Sequence, residues 1–195
     1  MLNNAIRPED MGVPSWRLHQ LTGDKAGLWS GSKEGLFVAV LGSICRRMDR
    51  AEAKVSPDPS DRVEALKVLI PFKLDYYRRN PDFVNLLNTE NLHKGKHVSG
   101  SVPRGEFSYR AVRIVEGIVT SGIERGLFCP TLTARDVFLL IASPAYFYSS
   151  NRYALSVFLG EDLDSPDAVE HWKSFVIDSV LRTVRADLPK SGAAA

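Results

Sequence analysis

The chain has 195 residues, 44% of them hydrophobic, with a formal net charge of +2. That length suits one globular domain, or one domain with a small head, and the near-neutral balance excludes a global electrostatic pull towards nucleic acid. Cys45 and Cys129 lie far apart and fit no metal spacing, so a reduced, cytoplasmic setting is expected.

Charge is unevenly spread. Residues 1–57 carry 8 basic and 6 acidic side chains, residues 71–113 carry 8 and 4, and residues 114–195 carry 7 and 10, so the front is mildly basic and the back acidic.

Residues 1–30 hold Pro8, Gly12, Pro14, Gly23 and Gly27, which leave room only for short helical turns around Trp16, Leu18 and Leu21 and around Lys25 to Trp29. Ser32 then reads as an N-cap. Glu34 suits the positive end of the helix dipole, and Leu36, Val40 and Ile44 give an apolar stripe, so a helix is expected to about Lys54. Arg46, Arg47 and Arg50 in its second half read as a solvated face. Ser56 to Ser60 is a loop. From Ser60 or Asp61, Val63, Leu66, Ile70, Leu74 and Tyr77 mark a one-faced helix with a kink expected at Pro71.

Asn80-Pro81 predicts a restart, with Asn80 as cap and Pro81 as first helical residue. Phe83, Leu86, Leu87 and Leu92 carry that short helix to between His93 and His97. After a loop at Gly100 to Pro103, Tyr109, Val112, Val115, Ile118, Val119 and Ile123 form a helix stopped by Gly126. Thr133 caps the next, Ala134 to about Leu159, which is apolar almost all round and includes the longest apolar run, Val137 to Tyr148. With Ser143 and Pro144 inside it, that run falls short of a membrane span. Pro166 opens the last helix, to about Asp187. It has one face of Val169, Trp172, Val176, Val180 and Val184 and a second of Phe175, Ile177 and Leu181, and a helix with two apolar faces needs a second surface to bury. No strand pattern appears, and an all-α body of six or seven helices is expected.

Catalytic motifs are missing. Gly31-Ser32-Lys33 inverts the order of a phosphate loop, there is no Gly-x-Ser-x-Gly and no cysteine near a histidine, so neither an enzyme nor a cofactor is expected. Glu90, His93 and His97 would share one face of a continuous helix. A polar helix end with His93 hydrogen-bonded is preferred there to a metal site.

The order of head, connecting helix, kinked helix, Asn-Pro restart and two long apolar C-terminal helices resembles the TetR family of transcriptional regulators. Three stretches carry the resemblance: Ser32-Lys33-Glu34-Gly35-Leu36-Phe37, Asn80 to His93, and Tyr146-Phe147-Tyr148-Ser149-Ser150-Asn151-Arg152 on to Gly160. It implies an all-α, TetR-like ligand-binding and dimerisation body, a homodimer through the two C-terminal helices, a small-molecule effector, and operator DNA read by an N-terminal helix-turn-helix.

By that resemblance, Lys25, Leu28, Trp29 and Lys33 are the DNA-binding candidates. Tyr76, Phe83, Asn88, His93, Tyr109, Tyr146 and Asn151 are the effector-pocket candidates. Phe147, Tyr153, Phe158, Trp172, Phe175, Val176 and Val180 are the dimer-interface candidates. The head departs from the pattern, because Lys25-Ala26-Gly27-Leu28-Trp29 runs through Ser30-Gly31 straight into Ser32-Lys33, about two residues short. Three helices and two turns need roughly 40 residues, and 31 precede Ser32. The expected organisation is therefore a degenerate helix-turn-helix remnant over 1–31, the helical body over 32–189, and a tail over 190–195. The expected function is a ligand-responsive repressor; the alternative is a dimeric small-molecule-binding protein without specific DNA binding, from a truncated or frameshifted regulator.

Overall fold

The computed structural model describes residues 33–55, 60–99 and 109–186. The head, including Lys25, Leu28 and Trp29, the Gly100 to Pro103 loop and the 190–195 tail lie outside the described residues, as do the side chains of Lys33 and Tyr109. Seven helices are described: α1 (Lys33–Glu52), α2 (Arg62–Arg79), α3 (Pro81–Leu92), the single turn α4 (Lys96–Ser99), α5 (Tyr109–Glu124), α6 (Ala134–Leu159) and α7 (Pro166–Val184). There is no strand among the described residues; Phe128 and Arg185 form one isolated antiparallel bridge.

Local chemistry sets the helix ends. Asp61 rather than Ser60 caps α2, its Oδ1 accepting from the backbone N–H of Val63 at 3.0 Å and of Glu64 at 2.9 Å. Thr133 and Asp136 form a reciprocal capping box at the start of α6, which ends on Gly160 in the left-handed conformation (φ 70°). Ser165 caps α7 ahead of Pro166. Pro81 opens α3 as expected, but Asn80 makes no side-chain cap; its amide instead donates back to the Tyr76 carbonyl at 2.8 Å, serving the end of α2.

Both α2 and α6 run through a proline, Pro71 and Pro144. An interior proline costs about 3 kcal/mol. Leu69, Ile70 and Leu74, at 5% exposure or less, surround Pro71 in sequence, and burying each such side chain returns about 1.5–3 kcal/mol. Packing therefore outweighs the local penalty.

The described helices divide into two compact units. The first comprises α1, the end of α2 from Tyr76, α3 and α4. Its core is Phe37, Val40, Leu41, Ile44 and Met48 of α1 with Tyr76, Tyr77, Phe83, Val84 and Leu86. Of the expected stripe on α1, Val40 and Ile44 are buried, whereas Leu36 is half-buried and its neighbour Phe37 takes the core position. The second unit comprises α2 up to Asp75, α5, α6 and α7, around Leu66, Ile70, Val115, Ile118, Phe128, Val137, Ile141, Val176 and Val180. Arg62 Nε ties α2 to Ser121 Oγ of α5 at 2.9 Å, and Lys173 Nζ ties α7 to Asp75 at 2.9 Å. Gly122 lies so close to Phe128 that a Cβ there would run into the ring.

Candidate functional site

In the first unit the notable feature is a polar pair inside an apolar shell. Glu90 is 6% and His97 5% exposed. His97 Nδ1 donates to Glu90 Oε2 at 2.8 Å, and the His97 backbone N–H donates to Glu90 Oε1 at 3.0 Å, so both carboxylate oxygens are engaged. Left alone, a buried carboxylate carries a large desolvation cost, which these bonds offset. The short helix ends where the expected stop between His93 and His97 begins, so the three residues do not share one continuous helical face. It stops at Leu92, and Lys94 (φ 57°) and Gly95 (φ 74°) make a left-handed turn that brings His97 back over Glu90. His97 packs its ring 4.8 Å from Phe37 of α1 on one side and 4.9 Å from His93 on another. His93 itself is exposed, with Nδ1 donating to the Thr89 carbonyl at 2.8 Å.

Among the effector-pocket candidates, Tyr76 and Phe83 are buried together, edge to face at 6.0 Å, with Tyr77 stacked on Phe83 at 5.6 Å. Burial pushes the Tyr76 hydroxyl up to about 12, with Arg47 opposing the rise. Asn88 is half-buried in the same unit. Tyr146 and Asn151 belong to the second unit, both half-buried, and the Asn151 amide donates to the Phe147 carbonyl at 3.0 Å.

The dimer-interface candidates separate. Val176 and Val180 are 2% and 1% exposed within the single chain, so they serve its own core and have almost no surface for a partner. Leu181, assigned to the second face of α7, is buried as well. The exposed apolar surface lies mainly on α6: Leu139 46%, Phe147 55%, Tyr153 70%, Val157 79%, Phe158 80% and Leu159 61%, with Phe175 of α7 at 53%. Leu139, Val157 and Leu159 were not singled out from the sequence. The signal was present as the spacing Leu139, Ser143, Tyr146, Ser150, Tyr153, Val157, alternately four and three residues apart. It was hidden because α6 is apolar on nearly every side.

Two open hollows of about 500 Å³ each lie between α6 and α7. One is lined by Leu139, Leu140, Pro144, Phe175, Val176 and Val180, the other by Phe147, Tyr148, Leu155, Leu159, Leu163 and Trp172. Trp172 stacks between Tyr148 at 5.2 Å and Phe175 at 5.4 Å. The turn between the helices is pinned underneath: Tyr148 OH donates to the Leu163 carbonyl at 2.7 Å, and the Arg152 Nε donates to Asp164 at 3.0 Å. The basic trio Arg46, Arg47 and Arg50 is exposed on α1, as expected of a solvated face.

Residues 63–180, from the first turn of α2 to near the end of α7, match the family model described as "Tetracyclin repressor-like, C-terminal domain". The chain belongs to the TetR family. This TetR-family chain is 43% identical over 155 residues to the HTH-type transcriptional repressor NicS of Pseudomonas putida, an alignment that covers 80% of the chain and 73% of that relative. The all-α, TetR-like architecture expected from the sequence is borne out, and the family is one of regulators. Among the described residues, no helix is long and apolar enough to cross a membrane.

Proposed function

We propose that this protein is a cytoplasmic, ligand-responsive transcriptional repressor of the TetR type, working as a homodimer. The observation that carries the reading is its 43% identity, over four-fifths of the chain, to a protein named as a transcriptional repressor. That identity favours the repressor over the alternative of a dimer without specific DNA binding. Operator contacts are assigned to the head, with Lys25, Leu28, Trp29 and Lys33 as candidates, and effector contacts in the first unit to Tyr76, Phe83 and Asn88.

The homodimer is supported by the exposed face of α6. From Leu139 to Phe158 its exposed residues Leu139, Ser143, Phe147, Tyr153, Ala154, Val157 and Phe158 and the half-buried Tyr146 and Ser150 carry no charge, and the exposed Arg135 and Asp136 stand only in its first turn. A surface of this kind meets its own copy across a two-fold axis without opposing like charges. The exposed side of α7 is different in kind: Asp167, Glu170, Asp178 and Arg182 all lie on it.

The test is a mobility-shift titration on the DNA flanking the protein's own gene, against scrambled DNA, at two salt concentrations. The expected result is binding on the order of 10³-fold or more tighter to one site than to scrambled sequence, released by a compound that also raises the melting temperature. Weak binding that is equal for both DNAs and vanishes with salt would contradict the repressor reading.

A further inference from the structure

His93 and His97 flank the left-handed turn at Lys94 and Gly95, and the turn brings their rings together, with centroids 4.9 Å apart and planes at 63°. Lys94 takes a positive φ that a residue with a side chain seldom adopts. Each ring is held through the same nitrogen. His93 Nδ1 donates to the Thr89 carbonyl at 2.8 Å, and His97 Nδ1 donates to Glu90 Oε2 at 2.8 Å. A carbonyl or an ionised carboxylate can only accept. Each Nδ1 therefore carries the proton, and each Nε2 of the neutral ring keeps its lone pair. Neither Nε2 has a hydrogen-bond partner among the described residues.

Histidines that bind metals are prepared in this way. One ring nitrogen donates to a carboxylate or a backbone carbonyl, which fixes the tautomer and raises the basicity of the other. The hydrogen bond expected at His93 in place of a metal site is thus one that also suits the ring to a metal. The spacing agrees: zinc–nitrogen bonds of about 2.0–2.1 Å at a tetrahedral angle hold the centroids of two imidazoles on one ion about 5 Å apart. Glu90 has both oxygens engaged by His97, which makes it the outer carboxylate rather than a ligand. Among the described residues no group of three or more histidine, cysteine or carboxylate side chains could hold a metal ion. The site therefore has two protein ligands, and the exposure of His93 lets water fill the remaining positions.

We propose that His93 and His97 form a binding site for a divalent transition-metal ion of the zinc class, each ligating through Nε2, with Glu90 orienting His97 from outside. Imidazole donors suit zinc, copper and nickel, whereas magnesium and calcium take oxygen ligands. An ion there ties the end of α3 to α4 across the turn, where His97 rests on Phe37 of α1 at 4.8 Å. The inference stands apart from the repressor reading, because neither DNA nor an organic effector enters it.

Zinc titration followed by histidine nitrogen NMR tests it. The sequence has four histidines, and a His19→Ala/His171→Ala background leaves His93 and His97 alone to report. With zinc chloride added to the histidine-labelled protein, both Nε2 resonances are expected to move to metal-bound positions while both Nδ1 stay protonated; magnesium chloride should move neither. Calorimetry should give one zinc per chain at this site. His93→Ala in the same background is expected to weaken zinc binding at least tenfold, since loss of even an outer partner costs about 10–100-fold. Without zinc that variant should keep the helicity and melting temperature of its parent, because His93 is exposed. Zinc that leaves either Nε2 unmoved overturns the proposal, and this readout needs no change at the site itself. A His93→Ala variant that binds zinc as tightly as its parent overturns it as well.

Discussion

The polar pair at the α3–α4 turn and the apolar row on α6 are opposite departures from the same rule. Globular chains place apolar groups inside and polar groups outside. In the first unit a carboxylate and an imidazole sit inside, against Phe37, with both carboxylate oxygens bonded to His97. In the second unit Tyr153, Val157 and Phe158 sit outside, each at least 70% exposed. The first departure is satisfied within the chain, so it acts as a structural lock between α3, α4 and α1. The second is left unsatisfied by the chain, and a second copy would complete it. The contrast teaches that the same kind of anomaly means stability where its partners are present and association where they are absent.

Mutations at the two places should therefore read out differently. The largest effect is expected at the lock: Glu90→Ala removes the carboxylate to which the buried His97 ring and backbone N–H both donate, and should cost about 3 kcal/mol or more in denaturant unfolding. If it proved neutral, the pair would be incidental to the fold. Gly122→Ala tests the packing of the second unit away from the α6 face. With the buried Phe128 ring in the way of a Cβ, a loss of about 1–3 kcal/mol is expected. Thr133→Ala removes one half of the α6 capping box and should cost about 1 kcal/mol.

The capping box also carries a pH dependence. Hydrogen bonds from the Thr133 side chain and backbone hold the Asp136 carboxyl below its ordinary value of 3.8. A lowered folded-state value means that the contribution is fully present above the ordinary value and fades as pH falls through the lowered one. Acid titration of stability should thus be flatter for Thr133→Ala than for wild type. The smallest effect is expected on the outer face, where Phe158→Ser should change monomer stability by no more than about 0.5 kcal/mol while weakening self-association. Cysteine labelling gives an independent check on burial. Burial, aided by Asp49, pushes the Cys45 thiol up to about 12, and Cys129 is half-exposed, so Cys129 should react first in the native state.

Much of this architecture was legible in the sequence. Capping residues and 3-4 spacing located the helices because those signals are local: Thr133, Pro166 and the run from Leu66 to Tyr77 needed no tertiary knowledge. The Glu90–His97 lock was only half visible. Glu90, His93 and His97 stand at the spacing of one helical face, and the sequence does not show that Lys94 and Gly95 take positive φ and turn the chain back between the two histidines. The last helix was misjudged for another reason. Apolar periodicity shows that a face must be covered and is silent on what covers it. Val176, Val180 and Leu181 are covered by their own chain, which leaves Phe175 as the exposed large apolar residue of α7 and the larger open surface on α6. On α6 itself, apolar residues all round mask which arc faces out, and only the packed structure separates Ile141 and Ala145 inside from Leu139 and Tyr153 outside.

The most direct measurement of the central claim is sedimentation equilibrium on the wild type and on a Val157→Asp/Phe158→Asp variant. The account predicts a wild-type mass of twice the 21.6 kDa chain at micromolar concentration, and a variant that is folded, equally helical and monomeric. A monomeric wild type, or a variant that dimerises as tightly as wild type with four aspartates brought to the shared face, would contradict it.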